Sequence, residues 1–205
     1  MILARAHMES ISACPEATRE ARMVGVKLLE GAFSLEGAFS LEGAFSPGSK
    51  SPALLKAGRE VSGLYERGGR GLEISLKESA RWMGMCARTG DVESMCDYAL
   101  CLEMGAGVEP DLRGAFDWYL RAAGTREQGG EDEGEREARG EARFSVGEYY
   151  ETGKGGVPED HSRAVMWYKK GEEDGDEDCQ AGLRRLGDIA KIVKGIKEIY
   201  ADPVN

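Results

Sequence analysis

The sequence predicts an all-α solenoid of antiparallel helix hairpins, completed by a capping helix towards its carboxy-terminal end. Two observations carry that reading. Trp82, Trp118 and Trp167 recur at intervals of 36 and 49 residues, the second interval being the first plus a 13-residue insertion after Gly124. From Leu183 to Tyr200, apolar residues recur at steps of three and four, the period of one face of a helix.

The repeat extends well beyond the tryptophans. Eleven residues before each stand Gly71, Gly107 and Gly156, ten before stand Leu72, Val108 and Val157, and seven before stand Ser75, Asp111 and Asp160. Serine and aspartate accept hydrogen bonds from the free N–H groups of a helix start, so a second helix, B, is expected to begin there. Met83, Tyr119 and Tyr168 follow the tryptophans. Upstream lies a first helix, A, with an apolar residue, a small residue, an aromatic or leucine, and then glycine: Val61, Ser62, Tyr65, Gly68; Tyr98, Ala99, Leu102, Gly105; Val146, Gly147, Tyr150, Gly153. The small residue admits a neighbouring backbone, and the glycine ends the helix in a left-handed conformation. Each tryptophan, beside Ala80, Ala115 or Ala164, is expected to be buried between helices.

These offsets divide the chain. Residues 1–50 form a low-complexity or degenerate region. It contains LEGAFS three times in tandem over residues 29–46, and a candidate partial repeat at 20–31. Repeat 1 spans 51–90, repeat 2 spans 91–124, an acidic insert spans 125–141, and repeat 3 spans 142–175. Residues 176–205 are the capping helix, in which Leu183, Leu186, Ile189, Ala190, Val193, Ile196 and Tyr200 make the apolar face until Asp202 and Pro203 stop it.

The segments GVEPDLRGAFDWYLRAAG and GVPEDHSRAVMWYKKG resemble the Sel-one-like repeat (SLR), a relative of the tetratricopeptide repeat. The resemblance covers about residues 57–175. It implies a right-handed superhelix, and it rests on Tyr65, Gly71, Leu72, Trp82, Leu102, Gly107, Val108, Asp111, Trp118, Tyr119, Tyr150, Gly156, Val157, Asp160, Trp167 and Tyr168 as structural signature residues. Repeat 1 departs from the pattern at Leu72, Ser75 and Met83. Members of the family act as adaptors in ubiquitin-ligase complexes, as activators of cell-wall synthases or as regulatory tails of kinases. What the resemblance implies is therefore a non-enzymatic adaptor or scaffold that binds another protein.

Charge narrows the partner. The formal net charge is −10, carried by two segments, 125–141 and 172–178, which are poor in apolar residues and expected to be solvated loops. Such a chain repels phosphate backbones, so nucleic acid is not an expected partner. No apolar run approaches the ~18 residues a membrane-spanning helix needs. Glu66, Glu103 and Glu151 occupy the same place in all three repeats, just before the closing glycine, where the helix dipole disfavours a carboxylate. They are the candidate partner-binding residues, an acidic ladder for a basic or basic-apolar peptide; three solvated glutamates are the plainer alternative.

Catalytic signals are weak. The segment from Gly147 to Lys154 has the wrong glycine spacing for a phosphate loop and reads as a helix end. His161 stands alone on the first turn of a helix, and no S-x-x-K occurs. Five cysteines without a C-x-x-C pair, and two distant histidines, indicate no metal site and no cofactor, with the thiols buried in a reducing, cytoplasmic setting. The rival reading is an enzyme or cofactor binder using a thiol or acidic pocket. It would need Cys86, Cys96 and Cys101 gathered around a cavity.

Overall fold

The computed structural model describes residues 52–68, 72–125 and 133–201. The tandem LEGAFS region, the candidate partial repeat, Gly71, the first half of the acidic insert and the Asp202–Pro203 stop lie outside these residues. Among the described residues the protein is helical throughout, with seven α-helices and no strand. It divides into two compact units between Pro110 and Asp111.

The first unit is α1 (Pro52–Arg67), α2 (Leu76–Arg88) and α3 (Val92–Met104), with α2 packed against both neighbours. Helix α1 ends at Gly68 and α3 at Gly105, both left-handed. Ser75 caps α2, its hydroxyl accepting from the Glu78 N–H at 3.3 Å. The Ser75 N–H donates to the Tyr65 carbonyl at 2.8 Å, which ties the start of helix B to the end of helix A. Leu55, Val61, Leu72, Trp82 and Cys86 form the core. Beside them Ser62 fits the small-residue position, and its buried hydroxyl lies 2.9 Å from the Ser79 carbonyl, so closeness costs no unpaired polar group.

The second unit is α4 (Leu112–Ala123), α5 (Glu133–Thr152), a short 3-10 turn (Lys154–Gly156), α6 (His161–Glu173) and α7 (Glu177–Ala201). Asp111 and Asp160 cap α4 and α6, accepting from the Gly114 and Arg163 N–H groups at 2.8 and 3.0 Å. The Asp160 N–H donates to the Tyr150 carbonyl at 2.7 Å, the same tie that Ser75 makes to Tyr65. Phe116 packs edge-on against Tyr150 and tilted against Tyr149, joining α4 to α5. Ala164, Tyr168, Cys179 and Leu186 make the second core, so the first half of α7 closes the unit.

Glycine is required where helices meet most closely. A Cβ on Gly147 would overlap the Tyr168 ring and one on Gly182 would stand 2.8 Å from it, so α5 and α7 close on the ring that α6 supplies. Gly107, with φ of +77°, brings its loop so near the start of α2 that a Cβ would stand 2.1 Å from the Leu76 carbonyl oxygen.

Three expectations are corrected. Residues 133–141 of the expected acidic loop are the opening turns of α5, and Ala138, Arg139 and Gly140 within them are buried. The second acidic segment is likewise not merely solvated. Asp174 is buried against Arg139 and Arg143, and Asp176 caps α7 by accepting from the Cys179 N–H at 2.7 Å. Finally, only Trp82 is buried, at 3% exposure, while Trp118 and Trp167 are half-buried. In α4 and α6 the inward rows run Ala115–Tyr119–Ala122 and Ala164–Tyr168–Gly171. A residue one position earlier is turned by about 100° to the helix edge. There Arg121 and Lys170 cover the tryptophan rings at 4.8 and 4.3 Å.

Candidate functional site

One end of the first unit gathers chemistry suited to recognition. Because α1, α2 and α3 alternate in direction, the end of α1, the start of α2 and the end of α3 lie together. Ile74 approaches Gly68 there, and Leu76 approaches Gly107. The same end exposes large apolar side chains, Met104 at 72% and Ile74 at 67%, with Leu100 exposed one turn before Met104 on α3. Burying such side chains against a partner is worth ~1.5–3 kcal/mol each. Leaving them in water is therefore a cost that folding alone does not relieve.

Carboxylates border these residues. Asp97, Leu100 and Met104 fall at i, i+3 and i+7 along one face of α3. Glu66 is exposed in the last turn of α1, 3.9 Å from Arg67, and Glu103 is half-buried in the last turn of α3. Burial raises the Cys101 thiol pKa, and the negative charges of Asp97 and Glu66 raise it further.

Glu151 behaves differently from its two counterparts. In the second unit its carboxylate receives both arms of the Arg185 guanidinium, at 2.8 and 2.6 Å, and the Tyr168 hydroxyl at 2.6 Å. Its side chain is 11% exposed. The bidentate bond from Arg185 holds its pKa below the usual carboxylate range against the opposing effect of burial. Here the carboxylate fastens α7 to α5 and α6. Glu151 thus shares its place in the repeat with Glu66 and Glu103, but Arg185 of the following helix engages it.

Burial works against reactivity in the described thiols. Cys86, Cys96, Cys101 and Cys179 are reduced, and all but the half-buried Cys101 are buried. Burial pushes the Cys86 thiol up to about 12, helped by the negative charge of Asp91, and burial likewise raises Cys179. A nucleophilic cysteine needs the opposite shift. His161 is exposed, 3.5 Å from the Glu159 carboxylate. Among the described residues no three His, Cys, Asp or Glu side chains converge to hold a metal ion. Lys154, at the end of the glycine-containing segment, lies over the Tyr149 ring at 5.3 Å.

The sequence model of the Sel1 repeat matches residues 92–123 and 140–176. A Sel1 repeat protein from Oxalobacter formigenes, known from its crystal structure, is 30% identical; the match covers 64% of this chain and 88% of that one, with a TM-score of 0.52. This chain belongs to the Sel1 repeat family. A protective antigen of uropathogenic Escherichia coli strains displaying an SLR fold is similar at 18% identity over 89% of this chain and 39% of that one, with a TM-score of 0.39. No curated protein matches. Sel1 repeats are protein-interaction modules as a family, and the helical-repeat architecture of this one accords with that role. No helix among its described residues is long and apolar enough to cross a membrane.

The sequence reading named two of the acidic residues at the exposed end and missed the apolar ones. Leu100 and Met104 are not part of the repeat signature, so no offset selected them. The spacing of Asp97, Leu100 and Met104 on a helix already ending in Gly105 was the available signal.

Proposed function

We propose that this Sel1 repeat protein is a non-enzymatic adaptor or scaffold whose first unit binds a basic-apolar segment of another protein. The observation that carries the reading is the exposed face of α3, where Leu100 and Met104 continue the row begun by Asp97, with Glu66 and Glu103 at its margin. Apolar contacts supply affinity in such a site. The carboxylates select lysine- and arginine-bearing partners and speed their approach. Reduced thiols with raised pKa values fit a cytoplasmic setting and speak against the thiol-enzyme alternative.

Calorimetric titration with peptides that alternate lysine or arginine with leucine or isoleucine tests the proposal. Binding is expected to weaken with salt and to fall at least about tenfold in a Leu100→Asp, Met104→Asp variant, with circular dichroism unchanged. Peptides of reversed charge binding equally well, or the double variant binding like the parent, would contradict it.

A further inference from the structure

Sulfur is concentrated on α3, whose 13 residues include Met95, Cys96, Cys101 and Met104. Burial divides them. Met95 and Cys96 are enclosed, Cys101 is half-buried, and Met104 stands in the last turn of the helix at 72% exposure. Of the other described methionines, Met83 and Met85 are half-buried, Met85 against the first core, and Met166 is 45% exposed. Met104 is therefore the described thioether most open to an oxidant arriving from solvent. It also lies one turn beyond Leu100, on the face to which partner binding is assigned above.

A thiol competes for peroxide as its thiolate, whereas a thioether reacts without ionising. Burial raises the Cys101 pKa, the negative charges of Asp97 and Glu66 raise it further, and burial raises Cys86 and Cys179 as well. These thiols stay protonated at neutral pH, which leaves the exposed thioether without a competitor three residues away on the same helix.

We propose that Met104 is an oxidation site that switches the binding face of the first unit. A lone pair of the thioether sulfur attacks one oxygen of hydrogen peroxide. The S–O bond forms as the O–O bond breaks, sulfur is oxidised to the sulfoxide, and the other peroxide oxygen, reduced, takes up the proton and leaves as water. A flexible apolar side chain thereby becomes a polar one, and the face loses its most exposed apolar contact. The fold tolerates the change, because the side chain stands mostly in water, whereas the same oxygen on Met95 would enter the core. A dithiol returns the sulfoxide to the thioether, becoming a disulfide as water is released, so the switch is reversible. Occupancy and oxidation exclude one another, since a partner seated on Met104 covers its sulfur. The inference rests on the proposed binding role of this face and adds its regulation.

Graded hydrogen peroxide treatment of the full chain at neutral pH tests the proposal, read by mass-spectrometric peptide mapping and by calorimetric titration with a lysine-leucine peptide. Among the described residues, Met104 is expected to gain oxygen first, ahead of Met166 and well ahead of Met95 and Cys101, with circular dichroism unchanged. Excess peptide is expected to slow oxidation at Met104 and to leave Met166 unaffected. Peroxide is expected to weaken peptide binding by the parent about fivefold to tenfold. In Met104→Leu, whatever its starting affinity, peroxide is expected to change binding less than about twofold. Methionine sulfoxide reductase with dithiothreitol is expected to restore the oxidised parent. Oxidation of Cys101 or Met95 before Met104, or an equal loss of binding in Met104→Leu, would overturn the proposal. Parent protein that binds the peptide equally well before and after oxidation at Met104 overturns the switch alone, whereas untreated protein that binds no peptide overturns the parent reading as well.

Discussion

Arg139 and Asp174 form a buried two-point ion pair. Nε and Nη2 of the arginine lie 3.2 and 3.1 Å from the two carboxylate oxygens, with the side chains 0% and 4% exposed. Arg143 donates to the same carboxylate and, at 2.8 Å, to the Lys170 carbonyl, so one aspartate organises the joint where α6 turns into α7. Removing one partner of a buried pair strands the other charge. Asp174→Ala is therefore expected to destabilise by about 3–5 kcal/mol, and the double change Arg139→Met, Asp174→Leu by markedly less. Denaturant melts of the two variants check this; equal losses would mean the pair is not the source of the effect.

The tryptophans are expected to rank by burial rather than by position in the repeat. Trp82→Ala removes a ring from the core shared with Val61, Leu72 and Cys86 and should cost about 3–5 kcal/mol. Trp118→Ala and Trp167→Ala lose half-buried rings stacked under Arg121 and Lys170 and should cost about 1–2 kcal/mol each. Thermal melts of the three single variants give the order, and a larger loss at Trp118 than at Trp82 would refute it.

Acid should release α7. The Glu151 carboxyl has a pKa lowered mainly by Arg185, so the stability it contributes is fully present above the ordinary glutamate value of 4.5 and is lost as pH falls below it through the depressed folded-state pKa. The melting-temperature advantage of the parent over Glu151→Gln is expected to be constant near neutral pH and to close in that acidic window. A difference that ignores pH, or one that widens on acidification, would show that the Arg185 contact does not stabilise the ionised form.

Thiol labelling separates the adaptor reading from a cysteine-based enzyme. Of Cys86, Cys96, Cys101 and Cys179, Cys101 should react first with a small disulfide reagent in the native state, because it is only half-buried. Even so it should react more slowly at neutral pH than an unburied thiol, since its pKa is raised. The other three should wait for unfolding. A rapidly labelled Cys86 would contradict the geometry.

Local signals in the sequence were reliable where one residue answers a local need. Ser75, Asp111 and Asp160 each cap a helix start, and Gly68, Gly105 and Gly153 each end a helix in left-handed geometry, because those demands are met within a few residues. What the sequence hid depends on distant neighbours. Asp174 looks like any other member of an acidic run until Arg139, 35 positions earlier, is folded against it. Its signal was the i, i+4 row of Ala138, Ala142 and Val146, which makes the supposed insert a helix with a buried side. The adjacent Trp and Tyr of helix B posed a similar ambiguity. Both cannot face inward, and the small residues before and after Tyr119 and Tyr168 select the tyrosine in repeats 2 and 3.

The central claim, that the exposed end of the first unit recognises basic-apolar segments, is tested most directly by photo-crosslinking. A photoreactive residue is placed at Met104, with a control at Met166 of α6, which is also exposed, and each is illuminated with a mixed library of basic-apolar and acidic-apolar peptides. The account predicts that position 104 captures the basic-apolar members, in a yield that salt lowers, and that position 166 captures few of either kind. Equal capture at the two positions, or no preference for basic members at 104, would contradict it.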